Sequence, residues 1–132
     1  MKKKTYKGYD EEQLKGMNLD DFTKIVTSRE RRTLANIKDN PQYKKLMQKI
    51  RTMIKEQKVK PMIKTHVREA VIIPEWLGLT FGIYSGKEFK KVVITVNHLG
   101  KRLGDFSHST GRVLHSGPGV GATRGSKFVP IK

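Results

Sequence analysis

Four histidines, His66, His98, His108 and His115, are the side chains here that could bind a metal or move a proton near neutral pH. Their spacing supports neither use. The chain has no HExxH motif and no close histidine pair, it lacks cysteine, and Glu69 and Asp105 complete no recognisable ligand set. An enzyme such as a nuclease needs paired carboxylates or a metal cluster, and Asp105 stands without a partner for that chemistry. Beside lysine and arginine, a histidine is better suited to contact a phosphate or stack on a base. The stretch GPGVGATRGSK, from Gly117 to Lys127, looks like a phosphate-binding loop at first. It fails both phosphate patterns. Ser126, not lysine, follows Gly125 with no helical segment behind it, and Gly117, Gly119 and Gly121 space as GxGxG, not GxGxxG.

The chemistry that remains is charge. Lys and Arg number 28 against 12 Asp and Glu in 132 residues, a formal net charge of +16. Residues 1–60 hold 17 basic and 8 acidic groups (+9), and residues 61–132 hold 11 and 4 (+7), so neither half is neutral. Self-repulsion of this size calls for an anionic partner or an unusually tolerant fold. A polyphosphate accepts such charge best, since duplex nucleic acid carries about one negative charge per 1.7 Å of axis. The candidate RNA-binding residues are Arg29, Arg31 and Arg32 in SRERRTL; Lys64, His66 and Arg68; Lys87; Lys101 and Arg102; and Arg112, His115, Arg124 and Lys127 toward the C-terminus. Lys90 and Lys91 add to the charge of the middle group. No catalytic residue, cofactor or metal is expected.

These cations need elements to position them. An apolar content of 36% supports one modest core. Asp10 with Gln13, and Asn18 with Asp21, predict two short helices separated by Gly16, the second with Leu19, Phe22, Ile25 and Val26 as its apolar stripe. Asn40-Pro41 is a stronger helix opening. After it, Tyr43, Leu46, Met47, Ile50, Met53 and Ile54 fall on one face, with Lys44, Lys45, Lys49, Arg51 and Lys55 between and opposite them. That basic face is either a solvated surface or one that meets RNA. Order signals weaken from Lys58 to Pro61, which predicts a linker.

Strand signals follow. LTFGIY and FKKVVIT flank Ser85-Gly86 and predict a hairpin, with Ile63–Val67 or Val71–Ile73 as a third strand. VNHLGKRLGDF after Thr95 reads as a short helix stopped by Gly104. The expected fold is α+β, a small antiparallel sheet of about three strands with helices on one side. It divides into a helical basic N-terminal extension (1–60), an α+β core module (61–109) and an extended Gly-rich basic tail (110–132). Trp76 in IIPEWLGL reads as core or interface filler in preference to a base-stacking ring. The stretch HSGPGVGATRGSKFVPIK carries four glycines, two prolines and no acid. It is either a frayed end or a finger that orders on an anionic partner. MKKKTYKGYD has no apolar run behind its lysines, so it does not read as a signal peptide, and no apolar run is long enough for a membrane span. The absence of cysteine agrees with a reducing, cytosolic compartment.

One stretch carries a family resemblance. In SGKEFKKVVITVNHLGKRLGDFSHS, six residues separate Ser85-Gly86-Lys87 from Ile94, four separate Ile94 from Leu99-Gly100, two separate Gly100 from Leu103-Gly104-Asp105-Phe106, and two separate Phe106 from Ser109. Upstream stand Pro74-Glu75 and Gly78-Leu79-Thr80. The pattern resembles the universal small-subunit ribosomal protein number nineteen family, from about Pro61 to Ser109. SRERRTL, the basic helix and the terminal Gly-Ala-Thr and Phe-Val-Pro are similar to its archaeal and eukaryotic branch, the archaeal form first. Trp76 stands where the family usually carries methionine, and Glu69 where the bacterial form has a second arginine after Arg68. The resemblance implies a structural constituent of the small-subunit head in the cytoplasm, bound to small-subunit ribosomal RNA beside the head protein numbered thirteen. It also implies a place near the intersubunit face, with contact to the large subunit and to transfer RNA, a tail reaching toward the decoding region, and no membrane. The competing expectation is a free-standing basic nucleic-acid binder of chromatin or RNA-chaperone type.

Overall fold

Asn40 turns its side-chain oxygen onto the backbone N–H groups of Gln42 and Tyr43, both at 3.1 Å, and Pro41 takes the first helical position, where no N–H is needed. Helix α4 (Pro41–Lys55) follows in the computed structural model, which describes residues 5–56 and 61–111. Its stripe buries Tyr43, Leu46, Met47 and Ile50, then fades, leaving Ile54 40% exposed. Lys44, Lys45, Lys49, Arg51 and Lys55 lie exposed.

Helices α1 (Glu11–Lys15) and α2 (Leu19–Ile25) begin where Asp10 and Asn18 predict, and Gly16 ends the first. The Asp10 backbone N–H donates to Gln13 Oε1 at 3.1 Å, closing half of a capping box. The arginine-rich SRERRTL, to which the sequence reading assigns no element, forms α3 (Ser28–Ala35). The cue is Thr27-x-x-Glu30: Thr27 is the extended residue ahead of the helix, and its hydroxyl donates to the Glu30 carboxylate. A 3₁₀ turn, Asn36–Asp39, leads into α4.

Among the described residues the sheet has three strands in the order β1 (Ile63–Thr65), β2 (Thr80–Tyr84) and β3 (Phe89–Val93). The α+β class and the three strands agree with expectation, but one pairing does not. β2 and β3 form the predicted antiparallel hairpin, whereas β1 runs parallel to β2, so the sheet is mixed and not antiparallel. The physical reason is the connection. Residues 66–79 separate β1 from β2, and a crossover of about a dozen residues is long enough to bring a strand back in the same direction. β1 is shorter than Ile63–Val67 because the Val67 N–H turns to the Thr65 hydroxyl at 3.0 Å. Val71 makes only an isolated bridge, to Arg102. At the hairpin turn Gly86 adopts φ 103°, and the Ser85 N–H donates to the Glu88 carbonyl at 2.9 Å.

The predicted helix after Thr95 is instead two 3₁₀ turns, Val96–His98 and Leu103–Phe106. Gly100, at φ 68°, reverses the chain between them, and Gly104 lies inside the second turn instead of ending a helix. A side chain at Gly100 would also overlap the Tyr6 hydroxyl.

Phe81, Ile83, Ile63 and Thr65 point inward from the sheet and are buried. Phe81, Ile83 and Ile63 join one cluster with Leu14, Phe22, Leu34, Tyr43, Ile50, Val71, Ile72, Ile73 and Leu103, so the helices and the sheet share a core. Trp76 is fully buried, its ring 5.3 Å from that of Phe81, in keeping with the core reading. Residues 58–60 of the predicted linker Lys58–Pro61, and residues 112–132 of the predicted tail 110–132, lie outside the described residues.

Candidate nucleic-acid interface

Strand pairing decides which side chains share the outer face of the sheet. Lys64 pairs with Gly82, and Gly82 with Lys91; Tyr84 pairs with Phe89, and Thr80 with Val93. Because alternate residues share a face, Lys64, Gly82, Tyr84, Phe89 and Lys91 stand together, opposite buried Phe81 and Ile83. His66, just past β1, continues the row. Its ring lies 4.7 Å from Tyr84 and 5.2 Å from Phe89, and the Tyr84 and Phe89 rings are 5.2 Å apart. Lys64 Nζ sits 5.3 Å from the centre of the Phe89 ring, where the negative face of the ring attracts it. Lys64, His66 and Lys91 are exposed, Tyr84 and Phe89 half-buried, and Lys87 projects from the exposed hairpin tip. The face therefore combines aromatic rings with cations and carries no carboxylate from the strands. The sequence reading names Lys64, His66 and Lys87 but misses Tyr84 and Phe89. Their cue is position: each is the residue nearest the turn of a hairpin on the same face.

Three predicted arginines are committed to the protein's own structure. Arg68 donates to the carbonyls of Tyr84, Gly104 (3.2 Å) and Ser107, tying β2 to the last 3₁₀ turn. Arg31 donates to the carbonyls of Thr23 (3.0 Å), Lys24 (3.1 Å) and Val26 (3.2 Å). Lys7 reaches the intervening Ile25 carbonyl, so two cations cover four consecutive carbonyls at the end of α2. Arg102 donates to the Thr33 hydroxyl at 3.0 Å and lies 3.9 Å from the Glu30 carboxylate, holding α3 against the segment after Gly100. The Arg102 Nε makes no hydrogen bond at that separation, so its attraction to Glu30 is electrostatic.

Arg29 and Arg32 are exposed on α3 and, with Ser28, Thr33 and Arg102, line a shallow cleft of about 380 Å³. Its lining carries only cationic and neutral polar side chains, which suits an anionic group. The neighbouring cleft of about 330 Å³ includes Asp39 and Glu69 beside Arg32. Lys101 is exposed, its Nζ 5.9 Å from the Phe106 ring, which also meets His98 at 4.4 Å. Arg51 donates to both Glu75 oxygens at 3.0 and 2.9 Å, and that pairing holds its guanidinium above its ordinary range.

Among the described residues no group of three or more His, Cys, Asp or Glu comes together to hold a metal, and no helix is long and apolar enough to cross a membrane. Asp105 accepts from the Arg102 backbone N–H at 3.0 Å. Burial pushes the Tyr43 hydroxyl above its ordinary range, with nearby Arg102 opposing it, and the hydroxyl donates to the Val71 carbonyl at 3.1 Å. Burial likewise raises Tyr6, with Glu30 adding to it. Arg112, His115, Arg124 and Lys127 lie outside the described residues.

The profile of ribosomal protein S19 matches residues 36–115. Among curated proteins, the small ribosomal subunit protein uS19 of Methanococcus maripaludis strain S2 is 47% identical over 130 residues, covering 96% of this chain and 80% of the relative. The uS19 of Methanococcus vannielii is 43% identical, covering 96% of this chain and 81% of the relative.

Proposed function

Because this chain belongs to the ribosomal protein S19 family, in its archaeal-type form, we propose that it is a structural constituent of the small ribosomal subunit, placed in the cytoplasm with that particle. It binds small-subunit ribosomal RNA and carries out no reaction of its own. The observation that supports this most directly is near-complete coverage at 47% identity to a protein named for that subunit. The physical reading agrees: an outer sheet face and an arginine cleft present cations on a rigid frame. Cations held in place lose less entropy on meeting phosphates than cations on a floppy chain, and they fix the register of the RNA against the protein.

In this reading the protein sits in the subunit head beside protein thirteen, near the intersubunit face and the transfer RNA sites. The segment 110–132 acts as an extended basic tail directed to the decoding region, behind a helical segment 1–60 and a core module 61–109. Of the RNA-binding candidates named from sequence, Arg29, Arg32, Lys64, His66, Lys87 and Lys101 are exposed and available to RNA, joined by Arg112, His115, Arg124 and Lys127 of the tail. Arg31, Arg68 and Arg102 support the frame.

Co-sedimentation tests the assignment. The protein is expected to stay with small subunits through a salt wash that strips loosely held basic proteins. Release into the supernatant with the general basic fraction would favour a free-standing nucleic-acid binder. For the tail, deleting residues 117–132 should weaken transfer RNA binding to the subunit, and unchanged binding would remove the decoding-site placement alone.

A further inference from the structure

We propose that the outer face of the sheet takes an unpaired nucleobase on the ring of His66, so that the RNA recognised there is a splayed single-stranded nucleotide and not a duplex. The inference rests on the RNA-binding reading above and adds the form of RNA this face accepts.

His66, Tyr84 and Phe89 come from three different segments and meet because β1 is parallel and β3 antiparallel to β2. Tyr84 and Phe89 are half-buried and make a cross-strand pair, which by itself stabilises the hairpin. His66 adds something the hairpin does not require. It is exposed, it is braced by both rings, at an interplanar angle of 50° to Tyr84 and 80° to Phe89, and it lies past the last paired residue of β1. A ring braced from below and open above is a stacking platform.

The next residues in the row decide the class of ligand. Gly82, between Lys64 and Lys91, gives the face no side chain of its own there, and Met62 Sδ already approaches to 3.0 Å of where a Cβ would stand. The half-buried Met62 side chain covers Gly82, so the centre of the face is apolar and is flanked by two exposed lysines suited to the phosphates on either side of one base. Bases inside an RNA duplex are stacked on one another and offer only phosphates and ribose to such a surface, whereas an unpaired base offers its π-face to any aromatic ring. An acidic protein segment could also meet the lysines but has no use for the rings.

The test uses the purified full chain with two probes, a short oligouridylate and a blunt RNA duplex, and compares wild type with His66→Ala, His66→Phe and Lys64→Gln after thermal melts establish that each is folded. His66→Ala is expected to weaken oligouridylate binding about 5- to 160-fold and leave duplex binding unchanged. His66→Phe, which restores a ring without the imidazole nitrogens, should recover most of the loss. Lys64→Gln should weaken both probes alike. Equal losses on both probes for His66→Ala, or no loss on either, would overturn the proposal. Ultraviolet crosslinking in reconstituted small subunits supplies the second readout. A crosslink from residues 62–68 or 84–91 to a base supports the platform, and a crosslink from those residues to another protein sinks it. A wild-type chain that fails to enter the subunit would instead overturn the ribosomal RNA reading itself.

Discussion

Lys64 and Arg68 stand four residues apart, both cationic, and have opposite employments. Arg68 fixes three backbone carbonyls, of which Tyr84 is 16 positions away and Ser107 is 39, while Lys64 lies over Phe89 on an exposed face. Arg68→Gln should therefore cost about 1.5–3 kcal/mol of stability, read by denaturant unfolding, with the salt dependence of RNA binding unchanged. Lys64→Gln should leave stability near wild type and reduce the slope of log affinity against log salt by about 0.7–0.9, the share of one phosphate. The sequence shows which residues are charged but not where each guanidinium points, because the partners of Arg68, Arg31 and Arg102 are backbone carbonyls or residues brought close only by the fold. Tyr43 gives a second test at this scale. Its hydroxyl is held neutral by burial, so the folded state keeps a proton that the unfolded chain releases near pH 10. Stability from this group is complete below that pH and falls as pH rises above it. Comparing wild type with Tyr43→Phe by chemical unfolding should show a difference that is constant below pH 10 and shifts in favour of Phe above it.

Elements were legible in proportion to how local their causes are. Asn40-Pro41 and the stripe behind it define α4, and Ser85-Gly86 between β-branched runs defines the hairpin, since each signal lies within a few residues of the structure it dictates. The direction of β1 and the two 3₁₀ turns after Thr95 depend on distant contacts instead. At Gly100 the deciding partner is Tyr6, far upstream, whose ring packs on Phe22 at 6.1 Å. Gly100→Ala should destabilise by at least about 1–2 kcal/mol, the cost of a left-handed conformation for a residue with a Cβ, with a further loss from overlap with the tyrosine hydroxyl. Adding Tyr6→Phe should recover the overlap part and leave the backbone part, because the ring carbon Cζ would still lie 3.3 Å from the new Cβ. A double-mutant cycle by thermal unfolding reads this directly. The stacking face belongs to the same class of features: His66, Tyr84 and Phe89 are visible in the sequence, but only the register sets them side by side.

At the scale of the whole molecule, the net charge of +16 dominates. If about eight phosphates are neutralised, log affinity for ribosomal RNA should fall with log salt at a slope of roughly −6 to −7, measured by filter binding across a salt series. A slope near −1 would mean that the charge serves another purpose. The edges of the sheet have a consequence for the time before any RNA is met. Among the described residues β1 and β3 form the two margins of the sheet; β1 spans three residues, and β3 carries Lys90 and Lys91 in succession. An unpaired margin of sheet is a template on which another copy can add a strand, and brevity on one side with like charge on the other frustrates that addition. A newly made chain, concentrated beside its siblings and not yet docked, is thereby kept from polymerising through its own β-structure.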